Sequence, residues 1–227
     1  MLVEPELDAA RLALDRALVG ALAERIAVGA AGGPDAEAIS LRALLAGGID
    51  ARQAAVLRAV WGRIDAATGL PLIATPAAQA LAADRFGLAF RTVADAEAAL
   101  TEAAKGGRAL IDLAGPRPWW GKLLARPELR VTAALPDDRH GLPRALMVSA
   151  ETPGPTGDDR TFWVTDSALA EPRIVEALTG AGLAARPLIV AGGLKLFLLA
   201  GYVQAEDGRL SAAPGALKGV IGAAPVY

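Results

Sequence analysis

Few residues in this chain could do covalent or metal chemistry. The single histidine, His140, sits in the charged loop sequence PDDRHG. One histidine beside two aspartates makes a poor metal site, because a bound transition metal takes three or four well-placed ligands. An exposed loop histidine is expected. There are no cysteines, which removes disulfides, thiolate zinc sites and a cysteine nucleophile together. Trp119 and Trp120 are adjacent. Two indoles could offer a stacking platform for an aromatic ligand, but packing between an α/β layer and its neighbour is the plainer expectation. Arg25 reads first as a solvated arginine on a helix face, paired with Asp15 or Glu24. Neither a cofactor nor a metal is expected.

The elements that must carry these residues follow from periodicity and punctuation. Residues 6–31 predict a helix, since Leu7, Leu14, Leu18, Leu22 and Ile26 recur on one stripe. Gly29, Gly32, Gly33 and Pro34 should end it. Asp35 can cap a second helix running to about Leu45. Asp50 can cap a third, from Ala51 to Thr68, with Val56, Leu57, Val60, Trp61 and Ile64 turned inward. Then the pattern changes. Strands are expected at 72–75, 88–93, 108–113, 129–135 and 144–149, with helices at 76–86, 95–106 and 118–125 between them, which is the alternation of an α/β layer. After a linker at 151–158, strands at 161–165, 188–191, 194–203 and 220–226 with helices at 171–181 and 211–217 give a βαββαβ order, the ferredoxin-like pattern.

Bulk properties narrow the function classes. The 227 residues suffice for one large domain or two to three small ones. Aromatic residues make up only 4% of the chain, so each core has few large anchors. The net charge is −2, with both signs interspersed. No basic stripe argues for nucleic acid. The start, MLVEPELD, lacks the basic-then-apolar order of a signal peptide, and the apolar runs are too short to span a membrane. A soluble cytoplasmic protein is expected.

In three successive stretches the sequence resembles the bifunctional chorismate mutase/prephenate dehydratase family. Leu14-Asp15, Leu18 and Leu22-Ala23-Glu24-Arg25 are similar to the I-D-x-x-L-x-x-L-L-x-x-R run of the all-helical mutases, and Val60-Trp61-Gly62-Arg63-Ile64 stands in the place of their W-R-E-I-like run. Residues 72–115 resemble the opening lobe of the dehydratase, with Pro143-Arg144-Ala145 at its T-R-F strand. Pro155-Thr156-Gly157-Asp158-Asp159-Arg160-Thr161 and Ile221-Gly222-Ala223-Ala224-Pro225 resemble the start and close of the ACT regulatory domain. The resemblance implies an α+β chain in three parts: a three-helix chorismate-mutase-like domain (1–70), a truncated prephenate-dehydratase-like α/β domain (71–150), and a ferredoxin-like, ACT-like βαββαβ domain (151–227).

Mutase chemistry needs cations that hold two carboxylates and stabilise charge developing on an ether oxygen, a task suited to the guanidinium fork. The resemblance places one such cation at Arg25, with Arg11, Arg42 and Arg63 as the residues from which a site could be rebuilt. It also puts Asp8 and Ala36 where the family has cations. The dehydratase threonine falls at Pro143, which has no side-chain proton donor. Arg173 stands where the ACT loop has glycine. The resemblance therefore implies an impaired relative that binds or regulates in aromatic amino-acid biosynthesis. An active mutase using the rebuilt arginine site is the alternative, and a structural or interaction module a second one. The expected ligands are chorismate, prephenate or an aromatic amino acid. The expected assembly is a homodimer joined through Leu14, Leu18, Leu22, Val56, Val60 and Trp61.

Overall fold

The computed structural model describes residues 8–28, 33–139 and 141–227. Within them the chain is α+β, with a mixed nine-stranded sheet. Three helices come first: α1 (Ala9–Val28), α2 (Gly33–Ala46) and α3 (Ala51–Thr68). The Asp8 carboxylate accepts from the backbone N–H groups of Ala10 (2.9 Å) and Arg11 (3.2 Å), satisfying donors that a first turn leaves open. A reciprocal capping box opens α3: the Asp50 carboxylate accepts from the Gln53 N–H at 2.8 Å, and the Gln53 side chain accepts from the Asp50 N–H at 2.9 Å. The second helix departs from expectation. It begins at Gly33, so Asp35 lies inside the first turn. Rather than capping, the Asp35 carboxylate accepts from the N–H of Gly154 at 2.6 Å and ties α2 to the irregular 151–158 segment. Gly29 and Gly32, expected to end α1, lie outside the described residues.

The remaining elements, in order, are β1 (Leu72–Ala74), α4 (Gln79–Phe86), β2 (Arg91–Thr92), α5 (Ala96–Ala104), β3 (Arg108–Asp112), β4 (Arg130–Leu135), β5 (Ala145–Ser149), β6 (Asp159–Thr165), α6 (Glu171–Gly180), β7 (Ala185–Ala191), β8 (Leu194–Ala200) and β9 (Lys218–Pro225), with a 3-10 stretch at Trp119–Ala125. The strand expected at 88–93 shrinks to the two residues of β2, at the sheet's edge, where Leu88 is 86% exposed and has nothing to pack against. The helix expected near 211–217 is absent; a single 3-10 turn, Gly208–Leu210, stands before Pro214 and Gly215.

Strands lie in the order β2-β1-β3-β5-β4-β9-β6-β8-β7. The first three are parallel, β3-β5-β4 antiparallel, and β9-β6-β8-β7 antiparallel. The two halves of the sheet join where β4 meets β9 in parallel, at the pair Val131 and Gly222. Gly222 has φ of 141°, and a Cβ there would lie 2.3–2.4 Å from the backbone of Val131. Only glycine permits this approach and this conformation.

Apolar side chains cover both faces. On one, α5 and the 119–125 stretch bury Leu100, Trp120 and Leu123 against Phe162 and Ile221. On the other, α4 sets Ala82 and Phe86 over Leu110 and Met147, and α6 sets Ile174 and Leu178 over Trp163 and Phe197. Helices α2 and α3 reach the sheet through charge. Arg85 pairs with Glu37 (2.9 Å) and Asp137 (3.3 Å), Arg58 with Asp137, and Arg108 with Asp65. The Tyr227 ring packs under the guanidinium groups of Arg58 (5.3 Å) and Arg85 (5.5 Å), and its hydroxyl donates to the Pro34 carbonyl at 2.9 Å. Burial raises the pKa of the Tyr227 phenol and of Glu37, in the latter case against the pull of Arg85. This layer is a structural clamp in which every buried arginine named has a carboxylate.

Candidate ligand-binding crevice

In an open sheet of parallel strands, ligands bind beyond the carboxyl ends of the strands, where successive loops part. Here β1 and β3 are parallel neighbours. Beyond their ends lies a crevice of about 870 Å³, lined by Thr75, Pro76, Asp112, Trp119, Lys122 and Leu194 among others. That volume falls in the usual range of small-molecule pockets.

The floor is built by the strand ends themselves. Thr75, just past β1, donates its hydroxyl to Asp112 Oδ2 at 2.8 Å and accepts from the Asp112 N–H at 3.2 Å. Asp112 Oδ1 accepts from the Ala114 N–H at 3.1 Å, and the Asp112 carbonyl accepts from the Trp119 indole N–H at 2.7 Å. Thr75 is only 2% exposed, so its hydroxyl orients the carboxylate from beneath. A carboxylate held by two donors keeps lone pairs for a third. The walls are α5 and the 119–125 stretch. Asp95 is committed to capping α5 through the Ala98 N–H at 2.9 Å. Lys122 pairs with Glu97 across the mouth. The Arg117 side chain, exposed at the rim, has no hydrogen-bond or ion-pair partner among the described residues.

The β7–β8 hairpin closes the far side. A Cβ on Gly121 would lie 2.3 Å from Leu194 Cδ1, and one on Gly192 would lie 2.9 Å from the Pro118 ring. Both glycines therefore mark close approach. Of the tryptophan pair, Trp120 is core at 1% exposure, while Trp119, at 4%, both packs and faces the crevice.

The arginines singled out from the sequence do not share this crevice or one another's surroundings. Arg11 is exposed and lies 4.0 Å from Asp15. Arg25, in the last turn of α1, lines a small recess with Glu37, Ser40, Trp61 and Asp65. Arg42 donates to the Thr156 carbonyl. Arg63 is exposed and donates to the Ala59 carbonyl at 2.9 Å. Arg173 pairs with Glu176 at 2.8 Å on α6. His140 lies outside the described residues. Thr75 and Asp112 were not singled out from the sequence. Their signal was a polar residue at the end of each of two apolar strands, β1 and β3, which becomes a site only once the strands are known to be adjacent.

Comparison with known proteins corrects the sequence-level resemblance. No family model matches the chain, and no curated protein matches it. A solved structure that it does match is described as "GqqA- a novel type of quorum quenching acylases", at 18% identity and a TM-score of 0.45, covering 69% of this chain and 95% of that one. These findings support neither a mutase, a dehydratase nor an ACT domain. The resemblance to that family, the place in aromatic amino-acid biosynthesis and the rebuilt-mutase alternative are therefore withdrawn, as is the interaction module offered beside them. The motifs behind the resemblance were short and scattered along the chain, and a short local pattern is shared by many unrelated sequences. At this identity and TM-score the matched structure lends this chain no activity of its own.

Among the described residues, no helix is long and apolar enough to cross a membrane, and no group of three or more histidine, aspartate or glutamate residues could hold a metal ion.

Proposed function

We propose that this protein binds a small amphipathic molecule in the crevice beyond β1 and β3. The observation that carries the reading is the Thr75–Asp112 pair, an oriented carboxylate on the floor of a cavity that also offers apolar surface at Pro76, Trp119 and Leu194. A ligand with an apolar body would lie against Pro76, Trp119 and Leu194, offer an N–H or O–H to Asp112, and turn an anionic group toward Arg117. The Asp112 carboxylate keeps lone pairs beyond those used by Thr75 and Ala114, so it favours a ligand that brings a donor.

The test is a thermal-shift screen of small organic acids carrying hydroxyl or amino groups, aromatic carboxylic and amino acids included. Hits are then titrated into Asp112→Asn and Arg117→Gln. Each variant is expected to weaken binding by about tenfold, the worth of one charge-assisted hydrogen bond. Hits that bind both variants as well as the original chain would overturn the reading.

We also propose that two copies associate through α1. Its apolar side chains Leu14, Leu18 and Val19 are 73%, 61% and 64% exposed, and a solitary helix of this length is marginal in water. A second copy supplies an equally apolar, self-complementary surface under two-fold symmetry.

A further inference from the structure

Away from the crevice, the sheet carries a second concave site. On β6 and β8 the pairs Thr161–Leu199 and Phe162–Leu198 set the register, and on β7 Arg186 pairs with Leu198. Side chains alternate across a sheet, so Arg160, Phe162, Leu198 and Arg186 share one face. The two arginines flank β8 at the edge of the apolar core that holds Phe162 and Leu198. Arg139, from the loop after β4, completes a recess of about 260 Å³ lined by Arg139, Arg160, Arg186 and the 198–200 stretch of β8.

The charges here are unbalanced in an unusual way. Arg139 pairs with Asp158 at 2.5 Å. Arg160 spends one Nη on the Asp138 carbonyl, also at 2.5 Å. Asp138 in turn accepts from the Gly141 N–H at 2.9 Å. The Arg186 side chain has no hydrogen-bond or ion-pair partner among the described residues. Burial first, then the repulsion of Arg186, lower the pKa of Arg160, against the attraction of Asp138 and Asp158. Elsewhere the chain gives its buried arginines carboxylates: Arg85 has Glu37 and Asp137, and Arg108 has Asp65. Two like charges held beside one recess, one of them unpaired, cost free energy that an anion would recover.

We propose that this recess is an oxyanion site for a phosphate group, free or carried on a small molecule. Guanidinium groups from three directions suit a tetrahedral anion: Arg186 can present two N–H donors, and Arg139 and Arg160 keep donors beyond those given to Asp158 and the Asp138 carbonyl. The apolar floor at Leu198 excludes water from one side and strengthens the contacts. The site is independent of the crevice and stands whether or not that reading does.

Inorganic phosphate is the probe, titrated by calorimetry at constant ionic strength against chloride. The original chain is expected to bind it, and Arg186→Gln to weaken binding by about tenfold or more. Arg186 is exposed, so this variant should fold. Arg173→Gln, on α6 outside the recess, should bind as the original chain does. The proposal is overturned if Arg186→Gln binds phosphate unchanged, if chloride competes equally, or if acetate binds as tightly as phosphate.

Discussion

Helix α1 and strand β5 show how differently apolar residues fare in this chain. All five residues of β5 are buried. None of the twenty residues of α1 is. Apolar content alone does not decide it, for α1 is rich in leucine, alanine and valine. Placement does. The strand sits between β3 and β4 with helices over the sheet, whereas α1 shares a recess with α2 and α3 at its C-terminal end, where Arg25 lies near Glu37 and Trp61. An amphipathic stripe states that a face wants a partner, not that the same chain provides one.

The sharpest way to break the comparison is through two glycines. Gly222 lies at the seam of the sheet, and Gly20 in the middle of α1 has nothing within 4 Å of where a Cβ would stand. Gly222→Ala would force that carbon into the Val131 backbone at a positive φ. The expected loss is about 4 kcal/mol or more, enough to abolish folding in a protein of ordinary stability. Gly20→Ala should instead stabilise by about 0.5–1 kcal/mol through helix propensity. Urea midpoints of the two variants measure both effects. Equal and small changes would mean that the β4–β9 seam is not a structural junction.

The second test sharpens the role of α1. Leu14→Glu with Leu18→Glu places charges on the exposed stripe. Within one copy each change should be worth no more than about 0.5 kcal/mol. Across a two-copy interface the same charges would be desolvated and opposed. Light scattering at micromolar concentration is therefore expected to show a dimer for the original chain and a monomer for the double variant. A monomer in both would leave α1 without its second copy and overturn that assembly.

The same contrast explains what could be read from residues alone. The ends of β3, β6 and α3 are local events, set by apolar runs and by the Asp50 cap, and they fall close to expectation. The 211–217 helix fails because Pro214 and Gly215 lie within it, and Gly215 is held at φ of 120° against Thr165, where a Cβ would meet Oγ1 at 2.1 Å. Partnerships distant in sequence were not legible. Arg85 and Glu37 are 48 positions apart, Thr75 and Asp112 are 37, and neither spacing carries a helical or strand period. Arg25 drew notice because it sat in a periodic helix. Thr75, the better candidate, sat at the end of the short strand expected at 72–75, where nothing in the pattern marked it.

The smallest effect concerns the tie between α2 and the 151–158 segment. Burial, above all, raises the pKa of Asp35 from 3.8, with repulsion from Asp159 and Glu151 adding to it and the Gly154 N–H opposing. The folded state then binds a proton more readily than the unfolded one. Its stabilising contribution is fully present below the unfolded value near 3.8 and is lost as pH rises through the raised folded value. Asp35→Asn keeps an oxygen to accept from Gly154 but has nothing to titrate. The variant is thus expected to show a flatter dependence of stability on pH just above 3.8, and to gain slightly on the original chain toward neutral pH, where the original carries a half-buried charge near two other carboxylates. Urea midpoints measured across that range in both proteins decide it. Parallel curves would mean that water reaches Asp35 freely and that α2 is held to the sheet by the Arg85 and Tyr227 contacts alone.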